Sequence, residues 1–530
     1  MRTWRSELGF LTFYLSLAAT VSSWYVYREL VVAGQLGFPL DDSWIHQQIA
    51  RNVASGQSFS FNPGEPTSAA TAPLWTLLLA LPSGLGLDVV LATKALGTLI
   101  CGLNAFVVDR LAWKTIGSVL VARAAGLTTC VLPPLAWGAV SGMEVPLAAL
   151  LVAATLLAYE GGTRGSGIRW GLLAGLAVGA RPEALIVWPV LFGFWIREQA
   201  QRPSVSGRSQ LAPAIGVTVA LLPLATWNLY SHSRPWPVTL DAKALGWGTS
   251  HWLDIAAAST GWKAVVGNIL AFARWLPELG LGFFMALMAA LAALPGKTLN
   301  QIEKRLVLTV GLIVLCTLVA RALLAPWPPF VVFQEHRYAS YLLVPLVLIA
   351  ALGVAAVQRQ SGGHRWPAVL LGVWLIGGAA AQLPAGATRH AKAVANINRI
   401  QVAMGQWVNR STSNAARVAT HDVGAIGYLG RRYVLDTEGM VTPLALRYRK
   451  HRDIWSFLVR TKPDLLVVLP EWFPELGPRL EMWPVCHVEE AEPVVVGGRR
   501  FVAFRTPWTR LGTLDCPNAS NRLPVGRQPR

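Results

Sequence analysis

The sequence predicts an α-helical polytopic membrane protein with a small α/β domain at its C-terminal end. Hydrophobic residues make up 53% of the 530 residues and charged residues only 14%, whereas soluble proteins carry about a quarter charged residues. The 23 tryptophans suit the belts that aromatic residues form at membrane interfaces. Long apolar segments recur until about residue 385 and are followed by short strand-like runs. These observations favour a chain that lies mostly within lipid.

Spanning helices need roughly 20 mainly apolar residues, and this criterion predicts about 11 transmembrane helices, with 11–13 as the range. The segments lie near 9–32, 88–109, 116–137, 144–160, 169–181, 183–197, 211–230, 277–295, 305–325, 338–357 and 366–384. The short segments 169–181 and 183–197 leave a broken pair as an alternative, and 262–275 is either interfacial or a twelfth span. Segment 73–86 is short and proline-bounded, which fits a helix that lies in the interface or dips into the membrane rather than a full span.

Charge asymmetry orients these segments. With the N-terminus inside, the short connections rich in Lys and Arg fall on the cytoplasmic side, as the positive-inside rule requires. The opposite face then receives the loop after the first helix, 141–146, 181–183, 231–262 and 333–338. We therefore attribute the net charge of +18 to topology and to anionic lipids, and expect no nucleic acid partner.

The character of the chain changes after about residue 385. Residues 1–385 are predicted to form the transmembrane catalytic domain, 386–515 an extracytoplasmic α/β domain and 516–530 a disordered tail. The strand-like runs are Arg417–Thr420, Tyr433–Asp436, Asp464–Leu469 and Phe501–Phe504. Cys486 and Cys516 would be able to form a disulfide on the outer face, and the sequence leaves their pairing open.

Two adjacent aspartates, Asp41 and Asp42, follow the first apolar segment. Ionised carboxylates are costly near a bilayer, so the pair needs a reason. A helix cap or an Asx turn is the structural interpretation. In the catalytic interpretation, a carboxylate close to an acceptor hydroxyl serves as a general base, and repulsion within the pair raises the pKa of one carboxyl.

The sequence around this pair resembles a known family. The block DDSWIHQQIARNVASGQSFSFNPGEPTSAATAPLWTLLLALP is similar to the first extracytoplasmic loop of bacterial polyprenyl-phosphate-sugar-dependent glycosyltransferases of the GT-C superfamily, in the branch that includes arabinofuranosyltransferase-like and dolichyl-phosphate-mannosyltransferase-like enzymes. The matching positions are Asp41–Asp42, Arg51–Asn52, Phe61–Glu65 and Pro73–Trp75. Shorter similarities are SGME at 141–144, ARPE at 180–183, HRY at 336–338 and the stretch 421–441.

The resemblance implies a GT-C fold with juxtamembrane helices in the first extracytoplasmic loop. It implies an inverting transfer of a sugar from a polyprenyl-phosphate donor to an extracytoplasmic glycan, lipid or protein of the cell envelope. The implied location is the bacterial cytoplasmic (inner) membrane, with the active site and the C-terminal domain outside. Asp41 is then the general base, while Asp42 orients the acceptor or coordinates a cation. Some members of the superfamily use a divalent cation, so Mg²⁺, Mn²⁺ or Ca²⁺ stays open, although no metal motif is visible.

Arg181, Arg337 and His336 are the candidates for binding the donor phosphate, because arginine presents a planar fork to phosphate oxygens. Each has a structural alternative. Arg181 can reach the membrane interface as a snorkelling side chain, Arg337 can pair with Glu335, and His336 can be a hydrogen-bonded interfacial histidine.

Four residues are candidates for binding the acceptor or another part of the substrate: His46, Glu65, Trp75 and Glu144. Structural roles stand beside these functional ones. His46 can face water on an amphipathic helix, Trp75 can be an interfacial anchor, and Glu144 can cap the helix that follows it. In the FNPGE segment, only Glu65 is a candidate for function, since Asn-Pro-Gly sets turn geometry.

A polytopic transporter or flippase for a lipid-linked or anionic substrate is the alternative function. Transporters typically show internal repeats and charged residues near the middle of the membrane. Here the charges lie at helix ends on one face, and we see no repeat at a fixed period, which favours the enzyme. The glycines at 424–428 lack the full GxGxxG spacing and indicate a tight turn rather than a nucleotide site.

Overall fold

The computed structural model describes residues 4–160, 166–201, 210–244, 262–324, 334–362, 364–477, 483–490, 494–495 and 498–516. Helices dominate these residues, and a five-stranded sheet lies near the C-terminal end. The predicted class, a helical multi-pass membrane protein with a small C-terminal α/β domain, is confirmed. The tail beyond Cys516 and residues 245–261 of the 231–262 loop lie outside the described residues.

The helices of the membrane part are, in chain order, α1 (Trp4–Ala33), α2 (Asp41–Ala54), α3 (Pro73–Gly84), α4 (Val89–Ile116), α5 (Val119–Val131), α6 (Pro133–Val140), α7 (Val145–Tyr159), α8 (Ser166–Ala180), α9 (Val187–Ala200), α10 (Ala212–His232), α11 (Val238–Ala244), α12 (Trp262–Glu278), α13 (Leu281–Ala292), α14 (Gln301–Leu324), α15 (Leu343–Gln360) and α16 (Trp366–Ala380). The helices that follow are α17 (Leu383–Ile397), α18 (Ala403–Ser411), α19 (Val423–Gly430), α20 (Ala445–Arg449) and α21 (Ile454–Thr461).

Five helices of the described residues are long and apolar enough to cross a membrane, or seven if each of two bent pairs forms one span. The bends are 53° between α5 and α6 and 119° between α12 and α13. Other predicted spans form shorter helices, such as α7 and α8 with 15 residues each. A 3-10 turn, Pro182–Ile186, separates α8 from α9, which is the broken pair that the sequence allowed. The count of about 11 spans stays a prediction.

The run from α16 to α18 is helical from Trp366 to Ser411, over 46 residues. Its apolar character ends near α17, but its backbone continues as a helix and includes a π-helical turn at Asn398–Val402. The domain boundary predicted at residues 385–386 therefore falls within this helical run. The core in which the run packs changes instead, because Ala387 packs in the core of the membrane helices and Ile397 in the core of the C-terminal domain.

The sheet has the strand order β2-β1-β3-β5-β4. Strand β1 is parallel to β2 and β3, whereas β5 is antiparallel to β3 and β4. The strands are β1 (Arg417–Thr420), β2 (Tyr433–Asp436), β3 (Leu465–Val468), β4 (Trp483–Glu489) and β5 (Arg500–Arg505). Four were predicted; β4 was missed because Pro484 breaks the strand pattern, and this proline lies at a register shift in an edge strand. Cys486 and Cys516 form a disulfide.

Helix α2 joins the two parts of the molecule. Ala50 packs in the core of the membrane helices, whereas Trp44 packs in the core of the C-terminal domain. After α2, the side chain of Asn62 donates to the carbonyl of Val434 and accepts from its N–H, both at 3.0 Å. Val434 lies in the edge strand β2, so Asn62 satisfies backbone groups that an edge leaves unpaired.

Asp41 makes the closest contact between the two parts. Its carboxylate accepts hydrogen bonds from the backbone N–H groups of Gly424 at 2.7 Å and Ala425 at 2.8 Å, at the N-terminus of α19. A helix N-terminus favours a negative group. The turn predicted at 424–428 is therefore the start of a helix, and it binds a carboxylate of the same chain.

We predict that Gly424→Ala weakens the docking of the C-terminal domain on α2. An added Cβ would lie 2.1 Å from the Asp41 carbonyl oxygen and 2.8 Å from Asp41 Oδ2, so the backbone must shift. Such overpacking costs about 1–3 kcal/mol. The expected result is a lower melting temperature in nanodiscs and faster cleavage of the C-terminal domain by protease.

Gly512→Ala is the matched control, because among the described residues no atom beyond its chain neighbours lies within 4 Å of a Cβ at Gly512. Equal melting temperatures for the two variants would show that the approach of Gly424 to Asp41 does not hold the domain.

Candidate active site

A cavity of about 400 Å³ lies between the membrane helices and the C-terminal domain. Five of the residues chosen from the sequence line it: Asp42, His46, Glu144, Arg181 and Arg337. They come from α2, from the turn before α7, from the end of α8 and from the segment before α15. The fold thus gathers side chains that are up to 295 residues apart in the chain.

The turn before α7 places Glu144 in the cavity. Gly142 adopts φ +79, and an added Cβ would lie 2.6 Å from the Phe38 ring and 3.0 Å from the Ser43 Cβ. The Trp75 indole donates to the Gly142 carbonyl at 2.9 Å. Glycine is therefore required both by the positive φ and by the close packing. The indole of α3 fixes the turn that carries Glu144.

Asp42 faces the cavity from the first turn of α2. Arg337 donates to Asp42 Oδ2 at 2.5 Å and to the Tyr338 hydroxyl at 3.0 Å. Burial by itself raises the pKa of Asp42, but the Arg337 guanidinium outweighs that effect and holds the pKa below its usual value. The Asp42 side chain is 35% exposed, so a bound molecule can reach this ionised carboxylate.

A second set of ion pairs also lines the cavity. Arg181 donates to Glu144, and Glu183 lies 3.5 Å from Arg181 and 2.9 Å from Arg321. Burial raises the pKa of Glu183, but the two arginines outweigh burial and lower it to about 2. Each of these carboxylates is therefore paired with a guanidinium, as groups removed from water require.

Two basic residues of the cavity, Arg321 and Lys243, were missed. Arg321 lies near the end of α14, and a charged residue inside an apolar segment was itself a signal for function. Lys243 lies in the short helix α11, and its Nζ is 5.0 Å from the centre of the Tyr338 ring. Among the described residues no carboxylate lies within 4 Å of Lys243. Nothing in the polar 231–262 loop distinguished this lysine in the sequence.

The charged residues that line the cavity carry a net charge of +1, from four cations and three carboxylates among the described residues. The cations are Arg181, Lys243, Arg321 and Arg337, and the carboxylates are Asp42, Glu144 and Glu183. Leucines from α10 and from the turn after α8 are among the apolar residues that line the cavity. One of them, Leu185, is 48% exposed. The lining thus combines clustered charges with apolar side chains.

Asp41 does not line the cavity. Both of its carboxylate oxygens accept backbone N–H groups of α19. Burial, and then repulsion from Asp422, raises the pKa of Asp41, while the two N–H groups act in the opposite direction. The structure therefore separates the two adjacent aspartates, with Asp41 on the C-terminal domain and Asp42 in the cavity.

Three other candidates lie outside the cavity. His336 packs against the Trp275 ring, and its Nε2 lies 3.5 Å from Glu278; burial, followed by Arg389, lowers its pKa to about 4. Glu65 accepts from the Tyr433 hydroxyl at 2.8 Å, on the C-terminal domain. Trp75 is buried and holds the Gly142 turn. These positions favour structural roles for all three.

The acidic pair does not fit a divalent cation in this arrangement. Asp41 is occupied by two backbone N–H groups and Asp42 by a guanidinium, so a cation would have to displace hydrogen-bond donors. Among the described residues there is no group of three or more His, Cys, Asp or Glu placed to hold a metal ion. We assign no catalytic step to a metal.

The fold and this geometry can be compared with known proteins. The domain of unknown function DUF8728 matches residues 395–523, which covers most of the C-terminal domain. No curated protein matches the chain.

Solved structures match over most of the length. ArnT from Cupriavidus metallidurans, bound to undecaprenyl phosphate and in the apo state, aligns with a TM-score of 0.53 and 15% identity over 94% of this chain and 98% of ArnT. The Archaeoglobus fulgidus oligosaccharyltransferase, tethered with an acceptor peptide, aligns with a TM-score of 0.54 and 10% identity over 86% of this chain and 69% of that protein. The chain therefore has the GT-C fold.

Proposed function

We propose that this protein is an inverting glycosyltransferase that moves a sugar from a polyprenyl-phosphate donor to an extracytoplasmic acceptor. The observation that carries the proposal is the cavity lining, in which four cations cluster around the Tyr338 ring and apolar residues of α10 and of the turn after α8 also take part. A polyprenyl-phosphate sugar likewise combines an anionic head with an apolar tail. The shared fold with ArnT, which was solved with undecaprenyl phosphate, supports this choice.

The donor phosphate binds to Arg337 and Lys243 in this proposal. Arg337 offers a guanidinium fork, and Lys243 has no carboxylate partner within 4 Å among the described residues. A phosphodiester carries one negative charge, which balances the +1 of the cavity lining. The departing polyprenyl phosphate is a monoester with a charge of about −1.5 to −2 at pH 7. Cations that face this developing charge stabilise the transition state more than the bound donor.

Asp42 is the general base. When the phosphate takes the Arg337 guanidinium, Asp42 loses its partner and its pKa rises toward the ordinary value. The acceptor oxygen then attacks the anomeric carbon, its proton passes to Asp42, and the bond between carbon and phosphate oxygen breaks with its electrons on the phosphate. One displacement without a covalent enzyme intermediate inverts the anomeric centre.

The geometry favours Asp42 over Asp41 for this role. The resemblance assigned the base to Asp41, but both oxygens of Asp41 accept backbone N–H groups outside the cavity. Asp42 lines the cavity and is partly exposed within it. We propose that Asp41 holds the C-terminal domain and thereby fixes the first turn of α2.

The acceptor is a hydroxyl-bearing molecule of the cell envelope: a glycan, a lipid or a protein. Met440 of the C-terminal domain lines the cavity, so this domain contributes to the wall of the site. We propose that the protein lies in the bacterial cytoplasmic membrane with this domain outside, where lipid-linked sugars replace nucleotide sugars as donors.

We predict that Asp42→Asn lowers kcat by about 10²–10⁴, the usual contribution of general base catalysis. The assay measures release of polyprenyl phosphate by protein in nanodiscs, with a panel of undecaprenyl-phosphate sugars and an envelope-glycan extract. Asp88→Asn is the matched control, because Asp88 caps α4 and does not line the cavity, and asparagine caps equally well.

Asp41→Asn, assayed in parallel, distinguishes the two aspartates. We expect it to lower the melting temperature and to reduce kcat less than Asp42→Asn does. If Asp41→Asn is folded but has no turnover while Asp42→Asn stays active, the general base is Asp41.

We also predict that Lys243→Met lowers kcat/KM for the donor by about 10- to 100-fold, because a hydrogen bond to a charged group contributes about 1.5–3 kcal/mol. Product inhibition by undecaprenyl phosphate should weaken in parallel. Lys263→Met is the control, since Lys263 is exposed in α12. Unchanged inhibition in Lys243→Met would place the phosphate elsewhere.

A further inference from the structure

A buried ion pair outside the cavity has no part in the proposed reaction. Glu29 of α1 and Lys94 of α4 contact each other at 2.9 Å, with side chains 0% and 4% exposed, and neither lines the cavity. Helix α4 is long and apolar enough to cross a membrane, where a charged side chain is costly. Replacing a buried ion pair by apolar residues is often neutral or even stabilising, so stability alone does not account for this one.

Glu29 holds the segment that leads to Asp42. Its Oε1 accepts the backbone N–H of Gly37 at 2.7 Å, and its Oε2 accepts from Lys94. Gly37 lies in the connection between α1 and α2, and the first turn of α2 contains Asp42. His390 Nε2 also lies 2.9 Å from Oε2. The carboxylate thus joins α1, α4 and α17 to the segment before the cavity.

Lys94 holds the segment that leads to Glu144. Its Nζ donates to the Val140 carbonyl at 2.8 Å, in addition to Glu29. Val140 is the last residue of α6, and the turn that carries Glu144 into the cavity follows it directly. One ion pair is therefore hydrogen-bonded to the backbone of both segments that lead to these cavity carboxylates.

The two segments also contact each other. The Ser43 hydroxyl donates to the Ser141 carbonyl at 2.8 Å, and the Phe38 ring packs against Gly142. Because the segments are in contact, a shift of either one at the ion pair would be transmitted to the other. Such a shift would change the position of Asp42 in the cavity.

We infer that Glu29 and Lys94 are positioning residues, whose ion pair fixes the backbone segments that carry Asp42 and Glu144 in the cavity lining. The inference rests on the proposed function and deepens it, because these two residues act on the general base without contacting the substrate. Other residues hold the donor phosphate. Loss of the pair should therefore lower kcat without weakening phosphate binding.

The double variant Glu29→Gln/Lys94→Met tests the inference without leaving an unpaired charge in the interior. The glutamine can still accept the Gly37 N–H, but the methionine cannot donate to Val140. Misplacement of reacting groups by about 1 Å can cost about 10²-fold in rate, so we expect kcat to fall about 10- to 100-fold. Product inhibition by undecaprenyl phosphate and the melting temperature should change little. An unchanged kcat in the folded double variant would overturn the inference.

The control variant is Glu7→Gln/Arg110→Met. Glu7 and Arg110 also form an ion pair between α1 and α4, and neither lines the cavity. This variant should keep the kcat of the unaltered protein. An equal loss of kcat in both double variants would overturn the inference, because any ion pair between these two helices would then have the same effect.

Glu29→Asp replaces the double variant if that protein does not fold. The aspartate keeps the negative charge, but its side chain is one methylene shorter and cannot reach both Gly37 and Lys94 without moving the backbone. We expect a lower kcat with unchanged product inhibition by undecaprenyl phosphate. Here too, an unchanged kcat would contradict the positioning role.

The Trp75 indole reports on the turn after α6 without any turnover, because it donates to the Gly142 carbonyl. Its ¹H–¹⁵N signal in nanodiscs is assigned from Trp75→Phe. We expect this signal to shift in the double variant and to stay in place in the control variant. The Trp407 indole, which donates to the Asp515 carbonyl, should stay unchanged in both.

Absence of turnover with every donor in the unaltered protein would count against the proposed function instead. The Trp75 signal then decides the inference alone. A shift in the double variant sustains it, and an unchanged signal overturns it.

Discussion

The first turn of α2 constrains both halves of this molecule. Successive residues of an α-helix point about 100° apart, so Asp41 and Asp42 must face different neighbours. Asp41 meets the N-terminus of α19 in the C-terminal domain, and Asp42 meets Arg337 at the cavity. A displacement of the C-terminal domain would therefore rotate or shift the carboxylate in the cavity. Within the acidic pair, Asp41 thus connects the two domains and Asp42 lines the cavity.

The charges that line the cavity are nearly all paired with one another. Each carboxylate has a guanidinium partner: Asp42 has Arg337, Glu144 has Arg181, and Glu183 lies between two arginines. Four cations and three carboxylates leave one positive charge over, and Lys243 is the cation without a carboxylate within 4 Å among the described residues. The charge of an arriving phosphate neutralises this positive charge, and the phosphate competes with Asp42 for Arg337. In this exchange, the phosphate replaces Asp42 as the partner of Arg337. The donor is thereby bound, and Asp42 is freed to act as the base.

Much of this architecture could be predicted from the sequence, because apolar length and strand patterns are local properties. The runs Arg417–Thr420 and Tyr433–Asp436 form strands with the predicted bounds. Contacts between residues that lie far apart in the sequence were harder to predict. Glu65 and Trp75 belong to the motif block, yet one contacts Tyr433 and the other fixes Gly142. A motif shows which residues matter, but the tertiary contacts determine what each one binds.

The same limit explains the division between Asp41 and Asp42. Two adjacent carboxylates look equivalent in a sequence, and only the position of α19 distinguishes them. Lys243 gave no signal because its role depends on where α11 packs. His46 was found, but its hydrogen-bond partner Thr76 lies 30 residues away in the chain.

A structure of the protein with bound undecaprenyl phosphate tests the central claim most directly. We expect phosphate oxygens within hydrogen-bond distance of Arg337 and Lys243, and an Asp42 carboxylate that no longer contacts Arg337. A phosphate bound elsewhere, with the pair between Asp42 and Arg337 intact, would contradict the exchange of partners and with it the assignment of Asp42 as the base.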